Sequence, residues 1–252
     1  MELILRRPVL PAVRKNIGPE EKRLETLKQA LYLNLVKDDR WMYLAEGLKN
    51  TLLITLFATL IGIALGLLIA IVRATYDKTG KLKLLNGICR VYLTVIRGTP
   101  ALIQLMIFYY CIFVSRIFSG VFVGIIAFGL NSAAYVAEIF RSGIMSIDEG
   151  QMEAGRSLGF NYVQTMRYII MPQAFKNVLP ALCNEFVVLL KETSVAGYVA
   201  VQDLTKGGDI IRSRTYDPWT PLLTVAVIYL ALTMIFNHFA QNLERSLRKN
   251  ER

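Results

Sequence analysis

The sequence predicts an all-α membrane protein with about five transmembrane helices. Hydrophobic residues make up 54% of the 252 residues and charged residues only 19%, whereas soluble domains average about 25% charged. A bilayer core needs about 20 apolar residues in a helix, and four segments of roughly that length carry no charged side chain. These segments are 51–72, 98–115, 117–137 and 218–243. The pattern excludes a soluble globular protein, a disordered chain and a disulfide-stapled secreted domain.

Four of the five expected spans coincide with these uncharged segments. The remaining one, the fourth in chain order, is less regular. That fourth stretch is apolar but contains charged residues, which a membrane helix tolerates where it lines water or packs on protein. The expected spans are 50–72, 100–115, 117–140, 172–201 and 219–239. The expected regions of the chain are a polar N-terminal extension (1–40), a transmembrane domain (41–245) and a basic cytosolic tail (246–252).

Two further patterns concern helix packing. Gly62 and Gly66 stand four residues apart in the first span, and small residues at this spacing allow another membrane helix to approach closely. Segment 20–36 has apolar residues at helical spacing, which fits either a tethered surface helix or an interfacial anchor. Segment 73–97 is basic and has a similar amphipathic pattern, so we expect it outside the bilayer.

Composition argues against a metal or catalytic centre. The three cysteines form no CxxC pair, and the single histidine leaves no imidazole cluster. We therefore expect no metal and no cofactor in this chain. The net charge of +10 is assigned to basic residues that flank membrane spans and contact anionic lipid or a cytosolic partner, not to nucleic-acid binding.

Charge also predicts the orientation. With the C-terminal tail inside, the inner loops hold 14 Lys and Arg residues, and the outer ones hold 5 when residues 1–40 are left out. Basic residues favour the cytosol, so loop 142–171 and the C-terminus are expected to be cytosolic and the N-terminus outside. Residues 1–40 themselves hold nine basic residues and oppose this assignment.

Polar side chains within the spans are the candidates for function. Asn131, Tyr135 and Glu138 share one helix face in the third span. A carboxylate at membrane depth is costly, so Glu138 either has a function there or lies at the interface and pairs with Arg141. In the fourth span, residues seven apart share a face, which pairs Asn184 with Lys191 and Glu185 with Glu192.

Loop 142–171 carries the most specific motif. Glu153-Ala154-Gly155 is followed after three residues by Gly159, and after nine more by Ile169-Ile170-Met171-Pro172. This resembles the EAA loop of ABC importer permeases, with Gly155 in place of Ala and Met171 in place of Leu. Glycine permits a tight turn, and Pro172 is suited to begin a new helix.

Three more motifs are similar to those of the polar amino acid branch of that family, and the resemblance covers about residues 41–245. They are Arg97-Gly98-Thr99-Pro100, Asn131 to Glu138 (NSAAYVAE) and Lys191-Glu192-Thr193-Ser194. The resemblance implies ATPase subunits that use ATP and magnesium, an extracytoplasmic amino-acid-binding protein and a second permease subunit, a copy or a paralogue. It places the chain in a bacterial inner membrane. No phosphate-binding GxxxxGK[ST] loop occurs in the sequence, so the ATPase is expected on another polypeptide.

A zwitterionic solute needs donors for its carboxylate and acceptors for its ammonium. The candidates for this path are Asn131, Ser132, Tyr135, Glu138, Asn184, Glu185, Lys191, Glu192, Thr193 and Ser194. Glu185 is the favoured one and predicts a basic or amide amino acid, unless Lys191 or a subunit partner neutralises it. The alternative function is a secondary transporter or another polytopic carrier, although no internal repeat supports it; an intramembrane enzyme lacks a convergent catalytic set.

Overall fold

The structure is a computed structural model that describes residues 19–115 and 117–249, and the regular structure within these ranges is helical. Residues 1–18 of the predicted extension and 250–252 of the predicted tail lie outside the described residues. The α-helices in chain order are α1 (Pro19–Leu31), α2 (Trp41–Thr79), α3 (Lys83–Gly98), α4 (Ala101–Ile107), α5 (Gly120–Met145), α6 (Gly150–Ser157), α7 (Tyr162–Thr165), α8 (Met171–Glu192), α9 (Leu204–Thr215) and α10 (Trp219–Lys249).

Helix α2 is the longest of the described elements and packs along α5. Its 39 residues reach about 58 Å at 1.5 Å per residue. A Cβ atom on Gly62 would come within 2.8 Å of the Ser132 hydroxyl, and one on Gly66 within 2.7 Å of Val136. The small-residue stripe of the first span therefore packs against a helix of the same chain.

The core lies where α4, α5 and α8 meet α2. Its largest cluster includes Ile54, Leu105, Phe128 and Leu189, all almost completely buried. A second cluster joins α5 and α8 further along. These clusters cover apolar faces of α2, α4, α5 and α8, while the outer faces of α2 and α10 and the apolar face of α3 remain exposed.

By length and composition, three of the described helices suit a membrane span: α2, α5 and the first 28 residues of α10. A fourth suits it if α3 is joined to the segment Ala101–Ile112, although these two are bent by 109°. The fourth predicted span, 172–201, forms α8 and a 3-10 turn, Thr193–Val199. This segment is less apolar than the helices that suit a membrane span. The expectation of five spans stays a prediction.

Helix α9 occupies a segment that the apolar pattern left as a loop between spans. Asp203 is buried and accepts hydrogen bonds from the backbone N–H groups of Thr205 and Lys206, so it caps the helix. Leu204 and Ile211 are buried in a cluster with α2 and α10. Tertiary contacts and the cap explain a helix that hydropathy does not reveal.

The π-helical turn that follows α1, Tyr32–Val36, lies at the α9 end of the molecule. The Asn34 side chain donates to the Asp217 carboxylate at 2.8 Å, just beyond α9. In α1, Leu24 and Leu27 are exposed, as expected for either a surface helix or an anchor. Helices α6 and α7 lie at the opposite end of α2. At that end α10 continues past the predicted domain limit at 245.

Candidate functional site

Helices α6 and α7 form a short hairpin at the C-terminal end of α2. Helix α6 ends in a Schellman turn: Phe160 N–H donates to the Gly155 carbonyl at 3.0 Å, and Gly159 N–H to the Arg156 carbonyl at 2.9 Å. Gly159 has φ +82°, a conformation that costs other residues about 1–2 kcal/mol. The glycine of the motif is therefore required by the turn itself.

The second arm of the hairpin begins at a capping box. The Asn161 side chain accepts from Gln164 N–H, and the Gln164 side chain accepts from Asn161 N–H, both at 2.9 Å. The two arms pack closely, because a Cβ atom on Gly155 would lie 2.5 Å from the Thr165 methyl group. Hence Gly155 in place of the usual Ala lets α6 touch α7.

The hairpin is continuous with α8. A π-helical turn, Met166–Ile170, joins α7 to α8, so the chain is helical from Tyr162 to Glu192. Pro172 was expected to begin a new helix after a break; it is the second residue of α8, but the helical turns before it leave no break. The second arm and α8 are therefore one helical rod.

The motif residues divide into an exposed and a packed set. Glu153, Ala154, Gly159 and Pro172 are exposed, Ile169 and Met171 are half-buried, and Gly155 is buried. The packed side of the hairpin rests on the end of α2, where Tyr162 is half-buried against Thr75 and burial raises the pKa of its hydroxyl. On the outer side Leu158 and Val163 are about 70% exposed.

A polar cavity of about 800 Å³ lies between α5 and α8 and reaches the end of α10. Its lining combines both signs of charge, which a zwitterion requires. The predicted path residues Tyr135, Glu138 and Glu185 line it together with Arg97. Sequence reasoning missed Ser142, Ser146, Lys176 and Asn177, which also line it.

The missed residues continue helical stripes that the sequence already showed. Ser142 lies four residues after Glu138 on α5, and Asn177 lies eight before Glu185 on α8, so each pair shares a face. Asn177 also donates to the Ser146 hydroxyl at 3.0 Å. Extending the stripes by one or two turns would have found these positions.

Glu138 is an ion-pair centre. Its carboxylate accepts from Arg141 at 2.7 Å and from Arg73 of α2 at 3.3 Å, and Arg97 of α3 approaches to 3.8 Å. The interpretation that Glu138 pairs with Arg141 is thus confirmed, and two further arginines join it. The carboxylate ties α2, α3 and α5 together.

Glu185 has a different environment. It accepts a hydrogen bond from the buried Ser132 hydroxyl at 2.9 Å. Within the described ranges no ion pair links it to Lys191, which is exposed. A carboxylate without a cationic partner among the described residues is available to a cation in the cavity.

Other predicted residues lie apart from the cavity lining. Asn131 is buried and donates to Gln104 at 2.9 Å; Gln104 in turn donates to the Thr99 hydroxyl at 2.7 Å. This network fixes the bend at Gly98, Thr99 and Pro100 against α5. Asn184 and Lys191 are exposed, Glu192 and Ser194 are half-buried, and buried Thr193 donates to the Leu190 carbonyl.

An all-helical membrane chain with a polar cavity and an exposed helical hairpin at one end has the form of a transporter's membrane subunit. Residues 62–249 match the family described as binding-protein-dependent transport system inner membrane component. The chain is 39% identical over 204 residues to a probable amino-acid ABC transporter permease protein, YckA, of Bacillus subtilis, which covers 81% of this chain and 88% of that protein.

Two further likenesses span most of the chain. A putative glutamine transport system permease protein, GlnP, of Rickettsia typhi is 35% identical over 211 residues, 83% of this chain and 94% of that protein. The crystal structure of an amino acid ABC transporter with histidines superposes with a TM-score of 0.76 at 38% identity, covering 88% of this chain and 97% of that one. The chain therefore belongs to the family of binding-protein-dependent transport system inner membrane components, and it is a permease subunit of an ABC importer.

Proposed function

We propose that this permease carries a polar amino acid and that the α6–α7 hairpin couples it to a separate ATPase. The observation that carries the proposal is that the hairpin continues directly into α8. Helix α8 in turn places Glu185 in the cavity lining. Relatives named for glutamine and for amino acids, and a solved relative with histidines, support this substrate class. ATP and magnesium belong to the partner ATPase, and an external binding protein delivers the solute.

The coupling follows from the geometry of the rod. Leu158 and Val163 expose apolar surface at the tip of the hairpin, and Glu153 is exposed in the first turn of α6; together they suit a groove on another protein. A displacement of this tip is passed to α8, because the backbone is helical without a break from Tyr162 to Glu192. The movement changes the position of Glu185 relative to Ser132 on α5, and with it the access to the cavity.

The cavity is open on one side, so its second wall is assigned to another permease subunit, a copy or a paralogue. Two such subunits around a twofold or pseudo-twofold axis enclose a path that one chain leaves open. Arg97 and Lys176 provide charge for a carboxylate, and Glu185 provides it for an ammonium group. A carboxylate in this position favours a basic or amide amino acid.

Uptake by Glu185→Gln tests the role of this carboxylate. The complex is reconstituted in vesicles with its ATPase and a fixed binding protein, and initial rates are measured for a basic, an amide and an apolar amino acid. We expect uptake of the basic amino acid to fall most, with basal ATPase activity retained. Glu46→Gln is the matched control, since it removes an exposed carboxylate of α2 that lies outside the cavity lining. Unchanged uptake of every solute by Glu185→Gln would exclude a role in selection.

The proposal fixes the orientation of the chain: the hairpin and the C-terminus are cytosolic and residue 20 is external. Single cysteines at Glu20 and Glu153, both exposed, are introduced after replacement of Cys89, Cys111 and Cys183. In intact cells a membrane-impermeant maleimide should label position 20 and not position 153. Labelling of position 20 only after lysis would reverse the assignment.

A further inference from the structure

A second cavity, about 680 Å³ in volume, lies between α2, α3 and α5. Three arginines line it, Arg73, Arg90 and Arg97, against one carboxylate, Glu138. That carboxylate is already engaged by Arg141 through two hydrogen bonds of 2.7 and 3.1 Å. The cavity therefore carries an excess of positive charge.

The arginine donors in this cavity are not fully used within the described chain. The Nε atom of Arg73 is buried without a hydrogen-bond partner. Arg90 is exposed and lies over the Tyr76 ring at 5.8 Å, an interaction that leaves its N–H groups free. A buried donor without a partner costs about 1–3 kcal/mol, so an acceptor in this cavity would stabilise the protein.

Helix α3 places an apolar face next to these arginines. Arg90, Thr94 and Arg97 form one stripe at offsets of four and seven. On the neighbouring face the exposed side chains are Leu84, Ile88, Val91 and Val95, with 54–79% of their surface accessible. These side chains border an open groove along the helix. A ligand that fits both faces is anionic at one end and apolar along its length.

We propose that the Arg73–Arg90–Arg97 cavity binds the phosphate of an anionic phospholipid whose acyl chains lie along the apolar face of α3. Arginine suits phosphate because its planar fork donates two parallel hydrogen bonds. The cavity lies near the hairpin end of α2, the end assigned to the cytosolic leaflet, where anionic lipids attract basic residues. Arg97, Tyr135 and Glu138 line both this cavity and the transport cavity, so the lipid contacts residues of the path.

The site is tested on the full permease–ATPase complex in phosphatidylcholine nanodiscs, titrated with dioctanoyl phosphatidylglycerol. Arg90→Gln is the informative variant, because its side chain contacts only a ring and its loss leaves the Glu138 ion pairs intact. We expect about tenfold weaker binding, and Arg90→Lys should restore part of it. Lys81→Gln, just before the same helix, is the matched control, since it removes one exposed positive charge outside both the cavity and the groove.

Two further measurements separate the lipid from other occupants. Val91→Ser should weaken binding of phosphatidylglycerol but leave binding of glycerol 3-phosphate unchanged, because only the lipid uses the apolar face. If glycerol 3-phosphate binds as tightly as the lipid, the ligand is a soluble anion and the proposal is wrong. Equal losses in Arg90→Gln and Lys81→Gln would also contradict it. A disulfide between two copies bearing Val91→Cys would contradict it as well, because it would show a second permease on this face.

Discussion

The two ends of α2 are built in opposite ways. At its N-terminal end, backbone meets backbone: a Cβ atom on Gly47 would lie 2.5 Å from the Asp203 carbonyl oxygen, and Gly207 of α9 abuts the Tyr43 carbonyl. At its C-terminal end the hairpin touches α2 through side chains, in a cluster that contains Ala74 and Met152. The outer side of the hairpin remains exposed.

This difference between the two ends of α2 indicates that the α9 end serves stability and the hairpin end serves function. The α9 end is closed by contacts of the chain with itself, and the buried Thr51 hydroxyl there accepts a hydrogen bond from Leu204 N–H at 3.1 Å. The hairpin end exposes apolar side chains on a rigid turn. Exposed apolar surface rimmed by polar residues is typical of a protein interface. Changes at the α9 end should therefore affect unfolding, and changes at the hairpin should affect coupling.

Gly159→Trp should have the largest effect, because the bulky side chain projects from the hairpin and also strains a turn that requires positive φ. Nothing lies within 4 Å of the position of its Cβ atom, so an indole projects outward into the surface assigned to the ATPase. We expect ATP-driven uptake to be abolished and co-purification of the ATPase to weaken, while membrane insertion is retained. Gly80→Trp is the matched control: Gly80 also has positive φ and open space, but it lies outside the hairpin. Normal uptake by Gly159→Trp would remove the coupling role.

Gly47→Ala should have the next largest effect, on stability. Its new methyl group meets a carbonyl oxygen that cannot rotate away, and overpacking of this kind costs about 1–3 kcal/mol. Gly87→Ala in α3 is the control, because its Cβ atom meets nothing within 4 Å and alanine favours a helix. Thermal unfolding in detergent should show a lower midpoint for Gly47→Ala only. Equal midpoints would mean that α9 can move away from α2.

The sequence predicts some of these features and not others. Periodicity along one helix predicts which residues share a face, and so it placed Tyr135 with Glu138. The spaced loop motif predicts the turn at Gly159, because its backbone requirement is local. Both predictions depend on residues that are close in sequence.

Local sequence patterns do not predict contacts between segments that are far apart in the chain. Glu138 meets Arg73, which lies 65 residues away, and nothing in either segment specifies that pairing. Glu185 meets Ser132 across 53 residues in the same way. Helix α9 was missed for a related reason: its segment is too polar for a span, and its packing through Gly207 on α2 and Gly208 on α10 is not visible in the sequence. Periodicity identifies a face but not the helix that covers it.

Asp203 gives the smallest expected effect and the finest test of the closed end. Burial raises the pKa of its carboxyl above the ordinary value of 3.8, although backbone hydrogen bonds from Lys206 and Thr205 oppose the shift. The folded chain thus binds this proton more tightly than the unfolded chain does. The resulting stability is present at low pH and is lost as the pH rises through the folded-state pKa.

Two substitutions separate the cap from the charge. Asp203→Ala removes the acceptor for both N–H groups and should cost about 1 kcal/mol at low pH, where the carboxyl is neutral in both states. Asp203→Asn keeps an acceptor oxygen but cannot ionise, so the stability of the wild-type protein relative to this variant should fall as the pH rises from below the ordinary value of 3.8 through the higher folded-state pKa. Unfolding midpoints across this pH range provide the measurement. Parallel pH profiles for the wild-type protein and Asp203→Asn would show that the carboxyl is solvated, and that the α9 end is less tightly closed than its packing against Gly47 indicates.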